Sequence, residues 1–161
     1  MTQYKIEGNS LILSVKKAPV AVTATLFVLA FLFCVTPAIA VVGAVYSGRP
    51  FQLQFLIYIG VFAIAGFYML RLALWNTFGC EKLVFTANTV SYAANYGWFR
   101  DGKRTIVYEK IGFSMAQAGY EEDNKAVLVL TTDDSSITCA VAVPVNQLAE
   151  LLPKLNSITM S

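Results

Sequence analysis

The chain has 161 residues, of which 57% are hydrophobic and 14% charged, whereas a soluble domain has about 45–50% apolar and about 25% charged residues. Its net charge of +2 divides unevenly: residues 1–75 hold five basic side chains and one acidic, and residues 76–161 hold seven basic and nine acidic. A second half so close to neutrality gives no electrostatic basis for binding nucleic acid. The chain also lacks histidine and any CxxC pair, which removes the usual ligands of zinc sites and the base of histidine-dependent triads.

The first 17 residues form a strand-like tail. Tyr4 and Ile6 before a Gly8-Asn9 turn, and Leu11 and Leu13 after it, alternate with other residues, a period typical of β-strands. We expect this tail to add one or two edge strands on the cytoplasmic side.

Residues 18–78 contain two long apolar runs, from Ala18 to about Tyr46 and from Phe51 to about Phe78. Each exceeds the roughly 20 helical residues that cross a hydrocarbon layer about 30 Å thick. Only a short turn-forming group, residues 47–50, separates them, which predicts a transmembrane helical hairpin. A cleaved signal peptide ending near Ala38-Ile39-Ala40 is the alternative, but the apolar run continues beyond that point.

Basic residues flank the two runs rather than their connection, where Arg49 stands alone. By the positive-inside rule, both termini face the cytoplasm and the turn faces outward. Residues of the inner membrane interface are then expected to be Lys16, Lys17, Arg71 and Trp75, with the guanidinium of Arg71 reaching the headgroups.

Small residues in each run predict close helix packing. They are Ala40, Gly43 and Ala44 in the first and Gly60, Ala63 and Gly66 in the second. The same residues are the candidates for a docking face toward other membrane subunits. Neither run holds Asp, Glu, Lys or His at depth, so a proton or ion path is not evident.

After residue 79 the pattern changes to short strands separated by turns. Asp101-Gly102 predicts the turn of a hairpin, and residues 137–143 predict one continuous strand. A final amphipathic helix is expected to be capped by Asn146 and to end early at Pro153 and Asn156. The soluble domain of residues 79–161 is therefore α+β, with antiparallel strands and one C-terminal helix.

Two motifs carry a family resemblance. The segment Leu74-Trp75-Asn76-Thr77-Phe78-Gly79-Cys80-Glu81 resembles the LWN-x-x-G-x-E segment that joins a membrane hairpin to a bacterial PH-like domain, and Thr105-Ile106-Val107-Tyr108-Glu109-Lys110-Ile111 is similar to a strand of such domains ending in Y-x-x-I. The resemblance, to small bacterial membrane proteins with an N-terminal hairpin, implies a PH-like sheet or barrel closed by the C-terminal helix. It also implies a location in the inner membrane.

Three functions follow from these features. The first is a non-catalytic accessory or assembly subunit whose PH-like domain binds a partner protein or complex at the membrane. The second is a sensor of anionic lipid through Arg100, Lys103, Arg104 and Trp98, whose basic groups attract headgroups although Asp101 weakens the cluster. The third is a small transporter or channel component.

An enzyme is not expected. The sequence has no GxSxG, GxxxxGK[ST] or GxGxxG motif. The adjacent acidic residues in the sequence are interpreted as parts of solvated turns. Cys34, Cys80 and Cys139 are interpreted as small apolar thiols. We accordingly predict no catalytic residue, cofactor or metal site.

Overall fold

The computed structural model describes residues 2–159. Contacts between Cα atoms divide them into two compact units, one formed by residues 2–16 together with 78–159 and the other by residues 17–77. The hairpin is therefore inserted, in chain order, between two parts of one folded domain.

The inserted unit consists of two long helices, α1 (Val20–Tyr46) and α2 (Leu53–Phe78). Both are long and apolar enough to cross a membrane. In their most apolar stretches only 11% and 6% of the residues are buried, whereas a core helix of a soluble protein is mostly buried. Large apolar side chains such as Phe31, Ile39 and Ile64 are instead exposed. Exposed apolar surface of this extent is rare in soluble monomers.

The first sheet has five antiparallel strands in sequential order: β1 (Tyr4–Glu7), β2 (Ser10–Ser14), β3 (Cys80–Phe85), β4 (Thr89–Asn95) and β5 (Arg100–Val107). The N-terminal tail supplies β1 and β2, and β2 pairs with β3. Leu11 and Leu13 are 1% and 0% exposed, so the tail contributes to the core of the domain.

The second sheet places β6 (Ile111–Gln117) on one side of β7 (Lys125–Thr132), and β8 (Ser136–Thr138) and β9 (Val143–Pro144) on the other. Helix α3 (Val145–Thr159) contacts β6, β7 and β9. Its buried face is formed by Leu148, Leu151 and Leu155. The α+β class with a C-terminal helix is confirmed, but within residues 2–159 neither sheet closes as a barrel.

The prediction of a hairpin turn at Asp101-Gly102 is wrong. Both residues lie inside β5, where the pairing register with β4 shifts between Tyr92 and Ala94. Gly102 has a φ of +63°, which suits an irregular strand position of this kind. The turn occurs earlier, at Gly97, whose φ is +88° and whose N–H is bound by the side chain of Asn95.

Two further boundaries differ from the sequence prediction. Residues 137–143 do not form one strand, because β8 ends at Thr138 and β9 begins at Val143. Helix α3 starts at Val145, so Asn146 lies within it, and the helix continues past Pro153 to Thr159. Burial of Leu155 beyond Pro153 stabilises this continuation and offsets the hydrogen bond that proline cannot donate.

Candidate functional site

The outer face of the five-stranded sheet carries a basic groove. Along β3, Glu81, Leu83 and Phe85 are buried, while the alternate residues, including Lys82, are half-buried or exposed. Residues of β2 to β5, most of them on the outward face, line a groove of about 530 Å³. Its basic lining residues are Lys82, Arg100, Lys103 and Arg104. No carboxylate is among the described side chains that line it.

Strand register aligns the basic side chains across the sheet. Lys5 on β1 is opposite Ile12, and Ile12 is opposite Lys82. Lys82 is opposite Ala93, where the register shift of β5 places Lys103 nearby. Neighbouring strands lie about 4.8 Å apart, so long lysine side chains from alternate strands reach a shared region. Arg100 lies in the next transverse row, opposite Asn95.

Of the residues predicted to bind lipid, Arg100, Lys103 and Arg104 line this groove. Trp98 lies in the β4–β5 turn with 73% of its surface exposed. Asp101, which is expected from the sequence to weaken the cluster, pairs with the buried Ala94. By register its side chain therefore belongs to the opposite face of the sheet. Lys82 was not predicted, although its alternation with Glu81 and Leu83 was a usable signal.

A second feature, which was not predicted from the sequence, is the buried carboxylate of Glu81, which is 0% exposed. Its Oε1 accepts hydrogen bonds from the hydroxyl of Tyr92 and from the backbone N–H of Ala140, at 2.7 Å for the latter. Its Oε2 accepts the backbone N–H of Val141 at 3.0 Å. These donors replace the water that a buried carboxylate loses.

Glu81 also influences the acids around it. Burial, followed by the hydrogen bond to Glu81, raises the pKa of the Tyr92 hydroxyl. Burial and then the negative charge of Glu81 raise the pKa of the Cys139 thiol. Both groups are thus held in their neutral forms, and the arrangement is suited to fastening strands together rather than to proton transfer.

The residues predicted at the membrane interface occupy both units. Lys16 and Lys17 are exposed in the segment before α1, and Arg71 and Trp75 are half-buried one turn apart on α2. The backbone N–H of Ala18 donates to the carbonyl of Asn76 at 3.4 Å. The beginning of the helical unit therefore lies beside its end.

The residues predicted for helix packing differ in their surroundings. Gly66 is buried, and a Cβ added to it would lie 2.6 Å from Sγ of Cys34 and 3.1 Å from the carbonyl oxygen of Ala30. At Gly43 and Gly60 an added Cβ would meet nothing within 4 Å. Ala40 and Ala44 line a pocket of about 370 Å³ between the helices, and Ala63 is exposed.

A smaller pocket, of about 300 Å³, lies next to the edge strand β6. It is lined by Met115 and Gln117 of β6, by Lys125 and Ala126 of β7, by Asn124, and by Val145 at the start of α3. Met115 is 40% exposed. Strand β6 pairs only with β7 among the described strands, so no described strand occupies its other edge.

The chain matches no protein-family model, and comparison with curated proteins and with solved structures gives no significant match. Among the described residues, no group of three or more Cys, Asp and Glu side chains is arranged to hold a metal ion.

Proposed function

We propose that this chain is a membrane-anchored, non-catalytic accessory or assembly subunit. In this proposal the helical hairpin crosses the inner membrane of a bacterium twice, and both termini lie in the cytoplasm. The folded domain, which we take to be PH-like, binds a partner protein at the cytoplasmic face of the membrane.

The anchoring part of the proposal is supported by the helices and by the path of the chain. The two helices leave most of their apolar side chains uncovered, and lipid would cover them without cost. The domain contains strands from before and after the hairpin, so both segments must lie on the same side of a membrane. A hairpin of two spans satisfies this condition, whereas one span does not.

The same path argues against a cleaved signal peptide. Cleavage near Ala40 would remove β1 and β2, and with them the fully buried Leu11 and Leu13. The remaining domain would lose part of its core and expose β3 as a new edge. Charge supports the cytoplasmic orientation, because Lys5, Lys16 and Lys17 precede the hairpin and only Arg49 lies in its turn.

The partner-binding part of the proposal rests on the edge of β6. An extended segment of a partner can pair with an open strand edge, and a side-chain pocket beside that edge then supplies specificity. Met115 and Gln117 belong to the edge strand, and Val145 also lines the pocket. The apolar and partly exposed Met115 is suited to receive one apolar side chain of such a segment.

Photo-crosslinking in native membranes tests this function. A photoreactive amino acid in place of Met115 in the full-length chain is expected to capture one partner protein, and the same substitution at Ser136 on β8 is the control. The charge introduced by Met115→Asp should reduce co-purification of that partner in mild detergent, whereas Ser136→Asp should not. A chain that purifies alone and forms no crosslink at Met115 would contradict the proposal.

A further inference from the structure

We propose that the basic groove on the outer face of β2–β5 is a binding site for a phosphate-bearing anion. This inference goes beyond the proposed function, because it concerns another face of the domain and requires no partner protein. Three observations support it: the convergence of cations, the lack of compensating carboxylates, and the shape and chemistry of the groove floor.

The cations converge from separate strands. Lys82 belongs to β3, and Arg100 and Lys103 belong to β5, yet all three line one groove. No salt bridge of Lys82, Arg100, Lys103 or Arg104 occurs within the part of the chain that the structure describes. Like charges that line one groove repel one another, and an anion placed between them relieves the repulsion.

The acidic side chains of Glu7 and Asp101 lie near this region but are not among the described residues that line the groove. Glu7 forms a salt bridge with Lys5 at 2.5 Å, and Lys5 and, to a smaller extent, Lys82 lower the pKa of the Glu7 carboxyl. Asp101 belongs by register to the opposite face and accepts the N–H of Gly102 at 2.7 Å. The charged side chains that the structure describes in the groove lining are therefore all basic, and such a cluster attracts anions.

The floor of the groove offers space and neutral hydrogen-bonding groups. Ala93 is a small residue between Lys82 and Lys103, and it leaves room above the sheet. The hydroxyls of Ser91 and Thr105 lie 3.1 Å apart, and Asn95 lies beside Arg100. A guanidinium and two ammonium groups around hydroxyls match the several acceptor oxygens of a phosphate group.

The phosphate has two possible sources, a phospholipid headgroup or a free phosphate compound. The lipid source rests on the membrane anchoring proposed above, which would keep headgroups at high local concentration near the domain. The free source does not depend on anchoring. The experiment therefore treats the two separately.

The test is native mass spectrometry of the full-length protein released from a neutral detergent. The probes are dioctanoyl phosphatidylglycerol, dioctanoyl phosphatidylcholine and inorganic phosphate, each titrated separately. We expect phosphatidylglycerol or phosphate to bind in preference to the zwitterionic lipid, and binding should weaken as ionic strength rises. Binding of phosphatidylglycerol alone identifies the lipid source, and equal binding of phosphate identifies a free anion.

Charge-matched variants assign the binding to the groove. The combination Lys82→Gln, Arg100→Gln and Lys103→Gln should weaken binding about 100-fold, since each basic group contributes about a factor of five near an anionic surface. The control combination Lys110→Gln, Lys125→Gln and Lys154→Gln removes the same charge elsewhere and should change binding by less than about twofold.

Thermal unfolding of both combinations identifies any effect of misfolding. If the groove combination unfolds early, Lys103→Gln alone, which alters one exposed side chain, is used and should weaken binding about fivefold. Binding of neither anionic probe would overturn the proposal. Equal affinity of the wild type and a folded groove variant for the anionic probes would overturn it as well. Neither result depends on whether the partner-binding hypothesis is correct.

Discussion

Glu81 and Val141 are 60 positions apart in the chain, yet Oε2 of the Glu81 carboxylate accepts the backbone N–H of Val141 at 3.0 Å. This bond joins β3 of the five-stranded sheet to the segment that follows β8 in the other sheet. With the bond from Ala140 to Oε1, it explains why residues 139–142 leave strand geometry: two of their N–H groups are directed to a side chain instead of a neighbouring strand. The carboxylate thus connects the two sheets.

Removing this carboxylate should strongly destabilise the domain. In Glu81→Ala, the N–H groups of Ala140 and Val141 and the hydroxyl of Tyr92 lose their acceptor, the fully buried carboxylate of Glu81. At about 1–3 kcal/mol per buried unsatisfied group, we expect a loss of roughly 3–5 kcal/mol. For a domain of about 100 residues, this lowers the unfolding temperature by more than about 10 °C. Scanning fluorimetry of the full-length protein in detergent measures the change.

Two variants separate the contributions at this site. Glu81→Gln keeps the shape and one acceptor oxygen and should fall between wild type and Glu81→Ala. Tyr92→Phe removes one donor and leaves both backbone bonds, so its cost should be about 1 kcal/mol. Wild-type stability of Glu81→Ala would show that these bonds do not hold the sheets together.

The structural role of Glu81 was accessible from the sequence in part. The alternation Glu81, Leu83, Phe85 places the glutamate in phase with two core residues, and a charge in a core position calls for hydrogen-bonding partners. The identity of those partners was not accessible. Nothing local marks Ala140 and Val141 as donors, because their bonds depend on how two distant sheets meet.

For the other elements too, features with local causes could be predicted from the sequence, and features with long-range causes could not. The two apolar helices and the sheet with its closing helix could be predicted, since length and hydrophobic period determine them. The Asp101-Gly102 prediction failed because the same dipeptide suits a strand irregularity, and Gly97 with Asn95 made the turn instead. The basic groove required strand register to bring Lys82 beside Lys103.

Core substitutions in the N-terminal tail should destabilise the C-terminal domain. Leu11→Ala or Leu13→Ala removes a buried side chain contributed by β2, and large-to-small changes of this kind cost about 2–5 kcal/mol. Val107→Ala is the matched control, because Val107 belongs to the same sheet and is 72% exposed. Thermal unfolding followed by circular dichroism of the strands reports the difference. Equal unfolding temperatures for all three variants would refute a shared core.

A methyl group at Gly66 should disturb the hairpin. In Gly66→Ala the new Cβ would lie 2.6 Å from Sγ of Cys34 and 3.1 Å from the carbonyl oxygen of Ala30, so the Cys34 side chain must turn away or α1 and α2 must move apart, at a cost of about 1–3 kcal/mol. Gly60→Ala meets no atom within 4 Å and should be neutral.

A double variant tests the cause of the Gly66 effect. Adding Cys34→Ala to Gly66→Ala removes Sγ and should restore part of the stability, while the contact with Ala30 remains. Resistance to unfolding by SDS in mixed micelles is the measurement. Equal resistance of Gly66→Ala and Gly60→Ala would show that the two helices do not approach closely at Gly66.

Stability of the domain should decrease in alkaline solution. The pKa values of Cys139 and Tyr92 are raised in the folded state, so folding favours the protonated forms of both. Their contribution is complete below their ordinary values, about 8.5 and about 10, and is lost as the pH rises above them. We expect the unfolding temperature to fall progressively above about pH 8.5.

Matched tyrosine variants assign the alkaline effect. Tyr92→Phe should be less stable than wild type at neutral pH but should lose less stability between about pH 9.5 and pH 11. Tyr120→Phe, at a side chain that is 84% exposed, should keep the wild-type pH dependence. The same pH dependence in all three proteins would exclude Tyr92 as its source.

Single cysteines test the proposed topology by their reaction with a membrane-impermeant maleimide in intact cells. Thr2→Cys and Ser136→Cys belong to one folded unit and should be protected until the cells are lysed. Ser47→Cys follows α1 in the hairpin turn and should react without lysis once the outer envelope is permeable.

Background from Cys80 and Cys139 should be low, because burial raises both thiol pKa values and reduces the reactive thiolate. Labelling of Thr2→Cys and Ser136→Cys on opposite sides would contradict a domain that surrounds the hairpin in sequence, whereas external labelling of both would reverse only its orientation.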